Sequence, residues 1–219
     1  DKYLLCASPE RFIKKQGSQL LSQPIKGTIR RGSNDQEDQM LKHQLRYDEK
    51  ELAENMMIVD LVRNDLARSA EPGSVKVEEM FGIYSFKYLH HMISTITSQL
   101  RVEVDPVDAI KFAFPMGSMT GAPKIKAMEL IDHYEHSKRG IFSGAAGYFT
   151  PEGDFDFNVI IRSLMYDPIN SILSFQVGSA ITSDSIAEKE YQECLLKAQA
   201  ITQVLNQWIK TTKKTQMVE

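Results

Sequence analysis

Four glutamates in this sequence share one spacing. Glu51 and Glu54 stand three residues apart, and so do Glu190 and Glu193. On a helix, an i, i+3 pair lies on one face about a turn apart, so each pair offers two carboxylates side by side. The segment after the first pair is almost wholly apolar up to residue 62, which predicts a buried helix. Acids carried on a buried helix need something to neutralise them. Mg2+ suits such a set, because it takes oxygen ligands, accepts one or two direct carboxylates and keeps waters that further acids can hold. The two pairs are therefore expected to share one Mg2+ ion, leaving part of its shell for an anionic substrate. A plainer account also fits the spacing. Glu190, Glu193 and Lys197 fall on one helix face as a solvated stripe, with the last two forming an ion pair worth roughly a few tenths of a kcal/mol. Glu51, likewise, is placed to be the N3 partner of a helix cap at Asp48.

Lys26 lies between Ile25 and Gly27, in a predicted turn flanked by strands. An amine held in a partly desolvated pocket is a nucleophile, whereas most lysines are simply solvated; spacing does not choose between the two. Residues 117–124 resemble a phosphate loop but fail its spacing. Gly117 and Gly121 are too close together, and Pro123 precedes Lys124 where glycine is needed. What remains is a loop at a helix N-terminus, a generic anion site. His90 and His91, adjacent in a strand, face opposite ways and do not readily bind one metal. Arg162 follows an apolar run and reads either as a buried anion clamp or as an outward-facing strand arginine.

Positioning these groups falls to elements of both kinds. Strands are expected over 3–7, 11–14, 19–21, 75–78, 88–100, 144–149, 155–165 and 172–177, from alternation and β-branched content. Turns at Gln16-Gly17 and over 150–154 make hairpins of two neighbouring pairs. Helices are expected over 33–46 with a capping box at Ser33, from Asp48 to before Glu71, over 105–114, over 123–134, and from a cap at Asp184 or Ser185 to 210. Hairpins mixed with separated helices argue for an α+β fold with antiparallel sheets, not a doubly wound one.

The 219 residues, 42% hydrophobic and 25% charged, are ordinary for a globular domain. A net charge of −3 without a dense basic cluster argues against nucleic acid as a partner. No apolar run reaches membrane-spanning length and no signal peptide is visible, so no membrane partner is expected and a cytoplasmic location fits. Cys6 and Cys194 make neither a disulfide framework nor a metal site. The abrupt start in a predicted strand reads as a fragment whose N-terminal part is missing.

Four segments, taken together and in order, resemble the chorismate-utilising enzymes: PIKGT (24–28), ENMMIVDLVRNDL (54–66), GSMTGAPK (117–124) and EYQE (190–193). The resemblance covers nearly the whole chain, as one C-terminal catalytic domain. It implies two stacked antiparallel sheets wrapped by helices. It also implies roles. Glu54 and Glu193 match direct Mg2+ ligands, Glu51 and Glu190 match acids holding metal-bound water, and the ion anchors the ring carboxylate of chorismate. Backbone amides at Gly178, Ser179 and Ala180, with the Lys197 side chain, match further contacts to that carboxylate. Arg162 matches the clamp on the enolpyruvyl carboxylate. Thr28, Ser118 and His91 match residues lining the ring, and Glu10, in Ser8-Pro9-Glu10, matches the acid that protonates the departing 4-hydroxyl. Phe142 stands where many members have a tyrosine, and Ala180 replaces a frequent glycine.

Lys26 separates the branches. Members forming anthranilate, isochorismate or salicylate resemble one another in having alanine here, whereas the branch that aminates chorismate at C4 has lysine. The resemblance thus implies a covalent Lys26 intermediate and the product 4-amino-4-deoxychorismate, for para-aminobenzoate and folate synthesis. Ammonia would come from a separate glutamine amidotransferase subunit, because two cysteines and five histidines show no glutaminase motif here. Another chorismate enzyme, such as an anthranilate-forming one, is the alternative. A non-catalytic carboxylate-binding domain is a third reading.

Overall fold

Runs of alternating and of helically periodic residues become ten strands and five α-helices among the residues described, 2–183 and 185–216, of a computed structural model. In order, the chain forms β1 (Tyr3–Cys6), β2 (Arg11–Gln16), β3 (Gln19–Gln23), β4 (Ile25–Arg30), α1 (Asp35–Arg46) and α2 (Glu49–Ala67). Next come β5 (Lys76–Ser85), β6 (Leu89–Gln99), α3 (Pro106–Ala113), α4 (Lys124–Tyr134) and β7 (Ala145–Phe149). The last elements are β8 (Phe155–Val159), β9 (Ser163–Asp167), β10 (Ile172–Ser174) and α5 (Ala187–Gln216). The chain divides into a larger unit, Pro9–Val159, and a smaller one made of Asp1–Ser8 and Ile160–Glu219. Each carries its own antiparallel sheet, as an α+β fold requires.

The larger unit is built along β6. One edge of β6 takes β5; the other takes β3 and then β4 in succession, with Pro24 at the break. Proline has no N–H to give the ladder, and the Pro24 carbonyl accepts instead from the Ser94 amide at 3.3 Å. Beyond β3 the sheet continues through β2, β8 and β7. α2 lays Ile58, Val59, Val62 and Leu66 against this sheet, where they are no more than 8% exposed. Burying each such side chain contributes roughly 1.5–3 kcal/mol. The opposite face of α2, including Met56 at 49%, stays in solvent, so the helix is half-buried where the apolar run predicted full burial. Apolar content overstated its burial because α2 covers only one sheet surface.

Local chemistry sets the helix starts. Asp48 accepts from the Glu51 amide at 3.0 Å, as expected, and Asp105 accepts from the Val107 amide at 2.8 Å with proline in the first turn. The cap of α1 is Asn34, one residue later than predicted: it accepts from the Glu37 amide at 2.9 Å, while the Glu37 carboxylate turns back to the Ser33 amide. At α5 the first helical bond runs from the Glu190 amide to the Ile186 carbonyl. The Ser185 hydroxyl accepts from the Thr182 amide behind it at 3.0 Å; Asp184 lies outside the described residues.

Three further expectations change. Lys26 sits within β4 rather than in a turn. Residues 155–165 form two strands in different sheets, because the chain leaves the ladder at 160–162 and Arg162 takes a left-handed φ of 52°. The strand expected over 172–177 ends at Ser174, and the last helix runs on to Gln216. In the smaller unit β9 is central, pairing with β1 on one side and β10 on the other.

Candidate active site

Lys26 owes its setting to a bulge. Between Ile25 and Thr28, β4 advances three residues while its partner β6 advances two, from Ile93 to His91. The extra residue falls at Lys26-Gly27, where Gly27 has φ +94°. A Cβ on Gly27 would lie 3.1 Å from Met92 Cβ, 3.2 Å from Leu45 Cδ1 and 3.4 Å from Glu51 Oε2, so the bulge is closed by core and by α2. The Lys26 Nζ lies 3.7 Å from Glu54 Oε2, with the two side chains 18% and 13% exposed. Lys50, one turn earlier on α2, lies 3.8 Å from the other Glu54 oxygen. Burial raises the pKa of Glu51, and the neighbouring negative charges of Glu54 and Asp48 raise it further. This corner of the unit carries more negative charge than its lysines offset.

Glu10 precedes β2 and is only 6% exposed. Burial pushes its carboxyl up to about 7, against a side-chain hydrogen bond with Ser118 and the positive charge of Lys26, both of which pull it down. A neutral acid and a lysine thus sit within electrostatic reach of each other. Ser118 belongs to a 3-10 turn, Gly117–Met119, and with Glu10, Phe12, Pro24 and Met116 it lines a small cleft. Arg139 ties that turn down, its Nη1 donating to the Met119 carbonyl at 2.7 Å. Thr28 Oγ1 and His91 Nδ1 are 2.8 Å apart across the β4–β6 pairing. His90, fully buried, faces the other way and meets Asp38 at 2.9 Å, so the two histidines point apart as the strand period requires. Phe142 is half-buried on the turn before β7, and its phenyl ring has no hydrogen to donate.

The smaller unit gathers the remaining candidates. Lys197 Nζ is 2.5 Å from Glu193 Oε1 and donates to the Gly178 carbonyl at 2.8 Å. Ser179 donates to Glu190 Oε2 at 2.8 Å, and Glu190 is 7% exposed; Ala180 follows in the same irregular stretch. Arg162 is half-buried, donates to the Lys197 carbonyl at 3.3 Å, and has its pKa lowered by burial while the Glu193 charge opposes the shift. Of the plainer account, the Glu193–Lys197 ion pair forms, while Glu190 is buried and bonded and is no part of a solvated stripe. Within each unit taken by itself, no three described His, Cys, Asp or Glu side chains gather to hold a metal ion. Each unit carries one acid pair.

Two polar residues escaped the sequence reading. Asn55 and Ser94 are 1% and 0% exposed, and Ser94 Oγ donates to Asn55 Oδ1 at 2.6 Å. The signal was an amide at the head of an apolar helical run, which a buried face tolerates only when hydrogen-bonded.

The fold and these clusters define an antiparallel α+β protein that holds carboxylates, a lysine and an arginine in half-buried settings. The chain belongs to the family of chorismate binding enzymes, which it matches over residues 1–203. It is 47% identical over 205 residues to the probable chloroplastic aminodeoxychorismate synthase of Oryza sativa subsp. japonica, covering 93% of this chain and 23% of that protein. It is 43% identical over 206 residues to anthranilate synthase component 1 of Bacillus subtilis, covering 94% of this chain and 40% of that one. The crystal structure of anthranilate synthase component I from Streptococcus pneumoniae superposes with a TM-score of 0.81 at 36% identity, covering 92% of this chain and 44% of that chain. The chain thus spans less than half the length of these relatives.

Proposed function

We propose that this chain carries the chorismate-aminating chemistry of an aminodeoxychorismate synthase component I, converting chorismate to 4-amino-4-deoxychorismate. The observation that carries the reading is Lys26. It sits in the strand bulge beside Glu54 and within electrostatic reach of a buried Glu10 that is neutral up to about pH 7. The family resemblance associates lysine at this position with amination at C4, and alanine with the anthranilate-, isochorismate- and salicylate-forming branches.

In this reading the Lys26 amine, in its neutral form, attacks C2 of the ring, both ring double bonds shift by one position, and the C4–oxygen bond breaks. Glu10 gives its proton to the departing hydroxyl, so that water leaves. Ammonia then adds at C4, both double bonds return to their first positions, and the C2–nitrogen bond to Lys26 breaks. Arg162 holds the enolpyruvyl carboxylate, Thr28, Ser118 and His91 line the ring, and Lys197 with the 178–180 backbone meets the ring carboxylate. Ammonia is supplied by a separate glutamine amidotransferase, in keeping with relatives named as component 1. The oxygen-only donor set of Glu51, Glu54, Glu190 and Glu193 suits Mg2+, and the uncompensated charge around Glu51 is what a bound cation relieves. When bound, the ion supplies positive charge for the substrate carboxylate. The deciding experiment incubates the full-length protein with chorismate, Mg2+ and ammonium and identifies the product by mass spectrometry. Aminodeoxychorismate supports the reading; anthranilate replaces it with the alternative enzyme, and chorismate binding without turnover leaves a binding domain.

A further inference from the structure

Two bulges, on opposite edges of β6, adjoin at Ile93. The first is at Lys26-Gly27 on β4. The second is on β5, where the chain advances from Glu79 to Gly82 while β6 advances only from Thr95 to Ile93. At that second bulge Phe81 takes a left-handed φ of 60°, a conformation a side chain other than glycine adopts only when its surroundings hold it there. Ile93 pairs with Ile25 on one side and Gly82 on the other, so the two irregularities meet at Ile93, the first running on towards His91 and the second towards Thr95.

A bulge leaves backbone groups outside the ladder, and buried ones must find other partners. Here one side chain of β6 serves both. Ser94 Oγ accepts from the Phe81 amide at 3.1 Å and donates to Asn55 Oδ1 at 2.6 Å. Asn55 Nδ2 in turn donates to the Lys26 carbonyl at 3.4 Å. The Ser94 amide holds the Pro24 carbonyl, just ahead of the first bulge. Asn55 is also the neighbour of Glu54, whose carboxylate faces the Lys26 amine. Helix α2 therefore grips Lys26 at its backbone through Asn55 and at its side-chain end through Glu54. The linking groups are almost wholly shut off from water, where hydrogen bonds hold direction best.

We propose that Asn55 and Ser94 are positioning residues that aim the Lys26 amine by tying its bulge to the one on β5. This rests on the amination reading for its catalytic consequence, but not for its structural one. The test uses Ser94→Ala in the full-length protein, which deletes the hydroxyl at almost constant volume. Amide exchange over residues 25–28 should speed up. Trinitrobenzenesulfonate should label Lys26 faster relative to Lys50, followed by peptide mass spectrometry. With chorismate, Mg2+ and ammonium, kcat should fall roughly tenfold or more from lost orientation, while KM stays within about twofold because no substrate contact is removed. Ser94→Thr, which keeps the hydroxyl, should restore kcat. If Ser94→Ala does not fold, Ser94→Cys, with its weak donor, is read by the same measurements. Unchanged exchange and labelling overturn the proposal, and so does a loosened bulge with unchanged kcat. A Lys26→Ala protein that still aminates chorismate at the wild-type rate ends the nucleophile assignment, and anthranilate as the wild-type product overturns the amination reading; either leaves the exchange result standing.

Discussion

Replacing Glu10 by glutamine isolates the electrostatic cost of the buried acid. Burial raises this carboxyl from 4.5 to about 7. A shift of about 2.5 units at about 1.4 kcal/mol each corresponds to about 3 kcal/mol in favour of the neutral form in the folded protein. Because the folded pKa is raised, the contribution is present in full below pH 4.5, is lost as pH rises through about 7, and stays lost above it. Glutamine keeps the shape and hydrogen-bonding capacity of the neutral acid and does not titrate. Urea unfolding of wild type and Glu10→Gln at a series of pH values from 4.5 to 8 should therefore show the variant gaining relative to wild type as pH rises. The difference should change by about 3 kcal/mol across that window and then level off. All other carboxylates cancel in the comparison. A difference that stays constant from pH 4.5 to 8 refutes the raised pKa. The same protonation governs the proposed proton donation: wild-type turnover should decline above pH 7, and Glu10→Gln should lose both turnover and that limb of the profile.

Lys26→Ala should abolish formation of aminodeoxychorismate, and withholding ammonia from wild type should let a chorismate-derived adduct accumulate on Lys26, visible in the intact mass; a variant forming product at full rate ends the nucleophile assignment. Glu54→Gln and Glu193→Gln should raise the Mg2+ concentration needed for half-maximal turnover more than Glu51→Gln does, and equal effects would remove the distinction between direct ligands and acids holding water. Gly27→Ala places a Cβ 3.1 Å from Met92 at φ +94°, and should destabilise by roughly 1–3 kcal/mol in urea unfolding; a neutral result would mean that the bulge relaxes freely.

Membership of the family, the α+β class and most element positions were legible in the sequence. Asp48 followed by Glu51, the Asp105-Pro106 start and the Gln16-Gly17 turn are local signals whose consequences close within a few residues. The i, i+3 spacing likewise placed each glutamate pair on one helix face, since the helical repeat is a property of the backbone alone. What escaped depended on partners remote in the chain. Nothing near Lys26 says that its strand bulges, because the bulge is a mismatch of count against β6, some sixty residues on. The buried amide of Asn55 acquires meaning only when Ser94 lies opposite it, and Glu10 becomes a high-pKa acid only when folding removes water from around it. Residue types and short spacings thus determined which groups were available for chemistry. Their protonation and aim were decided by tertiary packing, because desolvation and hydrogen-bond pairing arise only when distant segments close over them.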